Sequence, residues 1–94
     1  MSTIDLHKKT ILVTGAAGFI GSNLIKRLFK DVKDATVIGI DNMNDYYDVR
    51  LKESRLAELS AHPSFVFVRG SIADRNVINS IFEQHRPQIV VNLA

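Results

Sequence analysis

Ninety-four residues fit one small domain, and 46% hydrophobic with 23% charged residues suits a packed, soluble chain and excludes a disordered or fibrous one. A net charge of +2 gives no field strong enough to imply a nucleic-acid partner, although the pI near 9.2 leans that way. Without cysteine there is no disulfide framework, thiolate metal site or thiol nucleophile, and no apolar run is long enough to span a membrane.

Met1 to Lys9 reads as a loose leader. Lys8 and Lys9 before an apolar stretch resemble the start of a signal peptide, but Gly15 and Gly18 cut that stretch and a strand explains it. The strand is Thr10 to Thr14, apolar enough for a parallel sheet buried on both faces. The run Thr14-Gly15-Ala16-Ala17-Gly18-Phe19-Ile20-Gly21 then opens a helix-patterned segment. Three glycines spaced three apart at a strand-to-helix turn make a site for a pyrophosphate. Gly15 permits the tight turn, Gly18 lets backbone N–H groups approach phosphate with no side chain between, and Gly21 lets the helix pack close to its strand. The helix N-terminus adds unpaired N–H donors and a partial positive charge.

Along that helix Ile20, Leu24 and Leu28, with Ile25 and Phe29, recur at three- and four-residue spacing and form the stripe expected to pack on the sheet. Lys26, Arg27, Lys30 and Lys33 cluster near its end, where cations complement the helix dipole and face water. The second strand, Thr36 to Ile40, ends in Asp41, about twenty residues past Gly21. A dinucleotide-binding βαβ unit places there the carboxylate that accepts hydrogen bonds from the adenine ribose hydroxyls. A carboxylate at that point also repels the extra phosphate of NADP, which argues for NAD.

A polar loop, Asn42 to Asp48, leads to a helix from about Val49 to Ala61, with Leu51, Leu56 and Leu59 as its apolar contacts and His62-Pro63 as its end. The third strand is Ser64 to Arg69, and in the loop after it Asp74 is placed to cap the next helix. That helix runs from about Arg75 to His85 with Val77, Ile78, Ile81 and Phe82 on one face; Arg86-Pro87 closes it before a last strand, Gln88 to Leu93. The alternation predicts an α/β fold, the N-terminal part of a Rossmann-type doubly wound parallel sheet with about four strands and three helices, in a single segment 1–94. The last strand is expected at a sheet edge. Because such folds usually continue for further strands, the expectation is a segment truncated before its catalytic and substrate-binding regions.

Other chemistries fit poorly. A kinase-type P-loop needs lysine after its last glycine, where Ser22 stands; a calcium loop from Asp41 needs an oxygen ligand and a glycine where Met43 and Tyr46 stand. His7, His62 and His85 lack ligand spacing, so no metal site is expected.

The stretches TGAAGFIGSNL, IGIDN and VVNLA resemble the extended short-chain dehydrogenases/reductases, which include the NAD-dependent nucleotide-sugar epimerases and dehydratases, from about Thr10 to Ala94. The segment DNMNDYYDVRLK, Asp41 to Lys52, is similar to the loop of UDP-glucuronate 4-epimerases within that family. The resemblance implies tightly bound NAD that takes a hydride from the sugar C4 and returns it to the opposite face, inverting that carbon. It implies a nucleotide-sugar substrate, no nucleic-acid partner, and a cytoplasmic homodimer at full length. UDP-galactose epimerases, nucleotide-sugar dehydratases and a noncatalytic NAD-binding module remain alternatives.

Carried over by position, Gly15, Ala17, Gly18, Phe19, Ile20 and Gly21 would surround the pyrophosphate, and Asp41, Asn42 and Asn44 the adenosine ribose. Ser71 stands where the family commonly has an aspartate accepting from the adenine amino group, a weaker and neutral acceptor that would hold adenine less firmly or act through a water. Ile72 would contact adenine, and Leu93 and Ala94 would lie beside the nicotinamide half. The family's Tyr-x-x-x-Lys pair has no counterpart here, since Tyr46 is followed four residues later by Arg50 and Tyr47 by Leu51. No catalytic residue is therefore expected in the chain.

Overall fold

A computed structural model describes residues 8–32, 34–43 and 49–93. Asn44 and Ala94, Tyr46 and Tyr47, and residues 1–7 of the expected leader lie outside the described residues. The elements are β1 (Thr10–Thr14), α1 (Phe19–Asp31), β2 (Thr36–Asp41), α2 (Val49–Leu59), β3 (Phe65–Arg69), α3 (Arg75–His85) and β4 (Ile89–Asn92). The four strands form one parallel sheet in the order β3-β2-β1-β4. The α/β alternation read from the sequence is thus realised, and β4 occupies an edge as expected.

The chain advances from β1 to β3 in one direction and then crosses back to place β4 on the other side of β1. With right-handed crossovers, that reversal requires α3 to cover the face opposite α1 and α2. The core is divided accordingly. Ile11, Val13, Val37 and Phe65 pack with Ile25 and Leu28 of α1 and Leu59 of α2. Leu12, Ile38 and Ile40 alternate to the other face and pack with Ile81 of α3.

The helices turn a narrower face inward than their apolar spacing suggests. In α2 the inward residues are Lys52, Arg55, Leu56 and Leu59, at i, i+3, i+4 and i+7. Leu51 lies off that stripe and is 52% exposed, against the expectation that it packs inward. Ile20 is likewise 68% exposed, because it sits in the first turn of α1, past the strand ends that the later turns cover. Phe82 is 40% exposed, since α3 meets the sheet through Ile81 and the half-buried Val77 and Ile78.

The second helix ends at Leu59, two residues before the expected Ala61, and the turn after it is anchored by His62, whose ring stacks on Phe29 of α1 at 4.4 Å between centroids. Asp74 caps α3 as expected, accepting the N–H groups of Asn76 and Val77 at 3.0 and 3.4 Å. Arg86 closes that helix in the left-handed region, its N–H bonded to the Phe82 carbonyl. On the solvent side Lys26 pairs with Glu58, and Arg27 with Asp31 one turn on. Among the described residues no helix is long and apolar enough to cross a membrane.

Candidate functional site

A doubly wound sheet opens a crevice at the carboxyl ends of its strands where the strand order reverses, here between β1 and β4. The turn after β1 builds one wall. Gly15 has φ of 71°, in the left-handed region that glycine tolerates best. The N–H groups of Gly15 and Ala16 donate to the Ile40 carbonyl at 2.9 and 3.2 Å, folding the turn over the end of β2, and Gly18 N–H returns to the Gly15 carbonyl at 3.1 Å.

Helix α1 starts on Gly18, which has no side chain with which to cap it. The N–H groups of Phe19, Ile20 and Gly21 therefore have no acceptor within the helix. A Cβ on Gly21 would lie 2.1 Å from the Gly15 carbonyl oxygen, a distance no atom pair tolerates. The third glycine thus gives α1 a close approach to the turn that follows β1, where an approach to the strand was expected. Gly39 of β2 is a second such position, unforeseen from the sequence: a Cβ there would meet the Ala16 methyl at 2.7 Å and the Phe65 ring at 3.0 Å. Its signal was a glycine inside an otherwise β-branched strand.

Asp41 ends β2 and is buried. A buried carboxylate requires partners, and among the described residues Asp41 has three. Its Oδ2 accepts the Ala17 N–H at 3.0 Å; its Oδ1 accepts the Met43 N–H at 2.8 Å and the Lys52 ammonium at 3.1 Å. Each oxygen offers two lone pairs, so Oδ2 retains a position for a further donor from the cleft. Arg55 completes the arrangement. Its Nη1 donates to the Ala17 carbonyl at 3.2 Å while its guanidinium lies 5.9 Å over the Phe19 ring. Ala17 is thereby held at both its N–H and its C=O. Neither Lys52 nor Arg55 was marked by the sequence, in which a cation on a helix reads as solvated.

The remaining strand ends are tied in similarly. Thr14 Oγ1 donates to Asn92 Oδ1 at 2.7 Å and accepts the Leu93 N–H at 2.9 Å, stitching β1 to β4 where the sheet reverses. Gly70 N–H donates to the Asp41 carbonyl at 3.1 Å. Ser71 Oγ accepts the Ala73 N–H at 3.1 Å, so the hydroxyl is engaged within its own loop.

These pieces enclose a cleft of about 320 Å³. Of the residues expected at the site, Gly15, Gly18, Asp41, Asn42, Ser71, Ile72 and Leu93 line it, joined by Ile40, Lys52 and Gly70. Ala17 is buried in the turn and Gly21 within α1, Phe19 and Ile20 are exposed, and none of these four lines the cleft wall. Among the described residues no three histidine, aspartate or glutamate side chains gather as a metal site.

The sequence and the fold of the chain match those of known proteins. A UDP-glucuronate 4-epimerase of Thermodesulfobacterium geofontis is 43% identical over 83 residues, 88% of this chain and 25% of the relative. The solved structure of dTDP-glucose 4,6-dehydratase from Bacillus anthracis in complex with NAD matches 92% of this chain and 26% of its own, with a TM-score of 0.81 at 28% identity. That of UDP-glucuronic acid 4-epimerase from Bacillus cereus, in complex with UDP-glucuronic acid and NAD, matches 90% of this chain and 26% of its own, with a TM-score of 0.79 at 34% identity. The chain spans about a quarter of the length of such relatives. The family model described as GDP-mannose 4,6 dehydratase matches residues 12–94, from within β1 to the last residue. By that match the chain belongs to the GDP-mannose 4,6 dehydratase family.

Proposed function

We propose that residues 1–94 are the NAD-binding segment of a nucleotide-sugar 4-epimerase of the UDP-glucuronate type, with the catalytic and substrate-binding regions in the remainder of the full-length protein. One observation carries the reading: the glycine turn after β1 and the carboxylate ending β2 wall the same cleft and are bonded together through Ala17. The residues fit the adenosine-diphosphate part of the cofactor. Gly15 and Gly18 present backbone to the cleft, and the first-turn N–H groups of α1, at the positive end of the helix beside it, would attract the anionic oxygens. Asp41 Oδ2 and Asn42 would hold the ribose, and Asn44 would join them. Ile72 offers an apolar surface to adenine, and Leu93 and Ala94 would reach toward the nicotinamide half. Ser71, already bonded in its loop, holds the adenine amino group less firmly than a carboxylate would.

Bound NAD supplies reversible hydride acceptance from the sugar C4. The residues of this segment bind and orient; proton transfer is assigned to a Tyr-x-x-x-Lys pair in the rest of the protein, as a cytoplasmic homodimer. The epimerase is preferred to a dehydratase on the resemblance of the segment from Asp41 to Lys52 to the loop of UDP-glucuronate 4-epimerases. The test is incubation of the full-length protein with UDP-glucuronate and analysis of the sugar. Appearance of the C4 epimer supports the reading. A 4-keto-6-deoxy product from dTDP-glucose or GDP-mannose would turn it to a dehydratase, and NAD binding with no turnover to a noncatalytic module. The 94 residues alone are expected to be inactive, and turnover by them would contradict the assignment of catalysis elsewhere.

A further inference from the structure

We propose that Lys52 limits how strongly the cleft prefers NAD over NADP, a refinement that rests on the cofactor reading above. An acidic residue ending the second strand is the ordinary reason to expect rejection of a ribose 2′-phosphate, and Asp41 supplies it here. In this structure that carboxylate is not alone. Lys52 Nζ lies 3.1 Å from Asp41 Oδ1, with the two side chains only 13% and 4% exposed, and both residues line the cleft. The register of α2 brings the ammonium there: Lys52 lies on the same inward face as Arg55, Leu56 and Leu59, the last of them fully buried. Its place follows from helix packing, unlike that of a surface lysine.

A phosphate set beside Asp41 therefore meets a pair of near-zero net charge. At such separations, shielded from water, each unit charge acts with far more than thermal energy, so Lys52 cancels most of the repulsion an isolated carboxylate would exert. An ammonium is also a good partner for phosphate oxygens. NAD carries only hydroxyls at that position. Both nucleotides share the pyrophosphate, so any longer-range pull of Lys52 on it drops out of the ratio of their affinities. Lys52 thus acts on specificity through the charge of Asp41.

The experiment is calorimetric titration of the full-length protein with NAD and with NADP, comparing the ratio of the two dissociation constants. Lys52→Met keeps an unbranched apolar side chain and removes the charge, and the preference for NAD is expected to rise about tenfold. Lys52→Gln removes the charge while keeping a hydrogen-bond donor for Asp41, and the preference is expected to rise by about as much. A ratio unchanged by Lys52→Met overturns the proposal; should that variant fail to fold with its carboxylate unpaired, an unchanged ratio in Lys52→Gln does so. Wild-type protein that binds neither nucleotide sinks the cofactor reading and this proposal together. Wild-type protein that binds NAD, with a ratio indifferent to either substitution, sinks this proposal alone.

Discussion

The carboxylate of Asp41 accepts the backbone N–H of Ala17 at 3.0 Å, joining the end of β2 to the turn that follows β1. Lys52 holds the other oxygen of that carboxylate, and Arg55 holds the carbonyl of Ala17. Helix α2 therefore braces the site from behind, through two cations one turn apart. A turn fixed in this way need not be ordered when its ligand arrives, which lowers the entropic cost of binding.

Arg55→Ala removes the bond to the Ala17 carbonyl and the cation over Phe19 while leaving the core intact. The dissociation constant for NAD is expected to rise about fivefold, with about 1 kcal/mol lost from folding stability. Titration and urea unfolding of the full-length protein read the two quantities, and an unaltered NAD affinity would show that the turn holds its shape without this brace.

Gly21→Ala forces a methyl group against the Gly15 carbonyl, a backbone atom with nowhere to go. Loss of about 3 kcal/mol or more is expected. Gly39→Ala meets a side-chain methyl and a ring edge, which yield more easily, so it should cost less. Urea denaturation ranks the two; the reverse order would mean that α1 approaches the turn at Gly15 less closely than described.

Thr14→Val preserves shape but leaves the Leu93 N–H and Asn92 Oδ1 without their shared hydroxyl. About 1–2 kcal/mol of destabilisation is expected, largely recovered by Thr14→Ser. Equal stability of the valine and serine variants would argue against the stitch between β1 and β4.

Leu59→Ala should cost about 3 kcal/mol, because its side chain is fully buried between α2 and the sheet. Leu51→Ala should change stability by no more than about 0.5 kcal/mol, since that side chain is half exposed. Similar losses at both positions, measured by the same unfolding curves, would place Leu51 in the core.

The parts of this molecule set by short-range pattern were legible in its sequence. The glycine spacing, the carboxylate about twenty residues on and the strand-helix alternation all follow from local backbone rules. Asp74 announced its cap because the bond it makes spans two or three residues. What stayed hidden depends on how helices rotate against the sheet. Leucine spacing in α2 admits either Leu51 or Lys52 on the inner face, and only packing against α1 and β2 selects the lysine. Arg55 meets Ala17 across 38 residues, and Thr14 meets Asn92 across 78, separations at which no sequence period operates. The partners of Asp41 were hidden for the same reason, so the carboxylate expected to bind the ribose proved to be a structural one.

The most direct test of the cleft as a dinucleotide site is titration of NAD into full-length wild-type protein and its Gly18→Val variant. Gly18 lines the cleft, and its extended backbone accepts valine with only a 3.2 Å approach of Cβ to the Gly15 carbonyl, so the fold should survive while the branched side chain fills the pyrophosphate position. The account predicts NAD binding by the wild type and at least about a tenfold loss of affinity in the variant, with an unfolding midpoint close to that of the wild type. Indistinguishable NAD isotherms for the two proteins would contradict it.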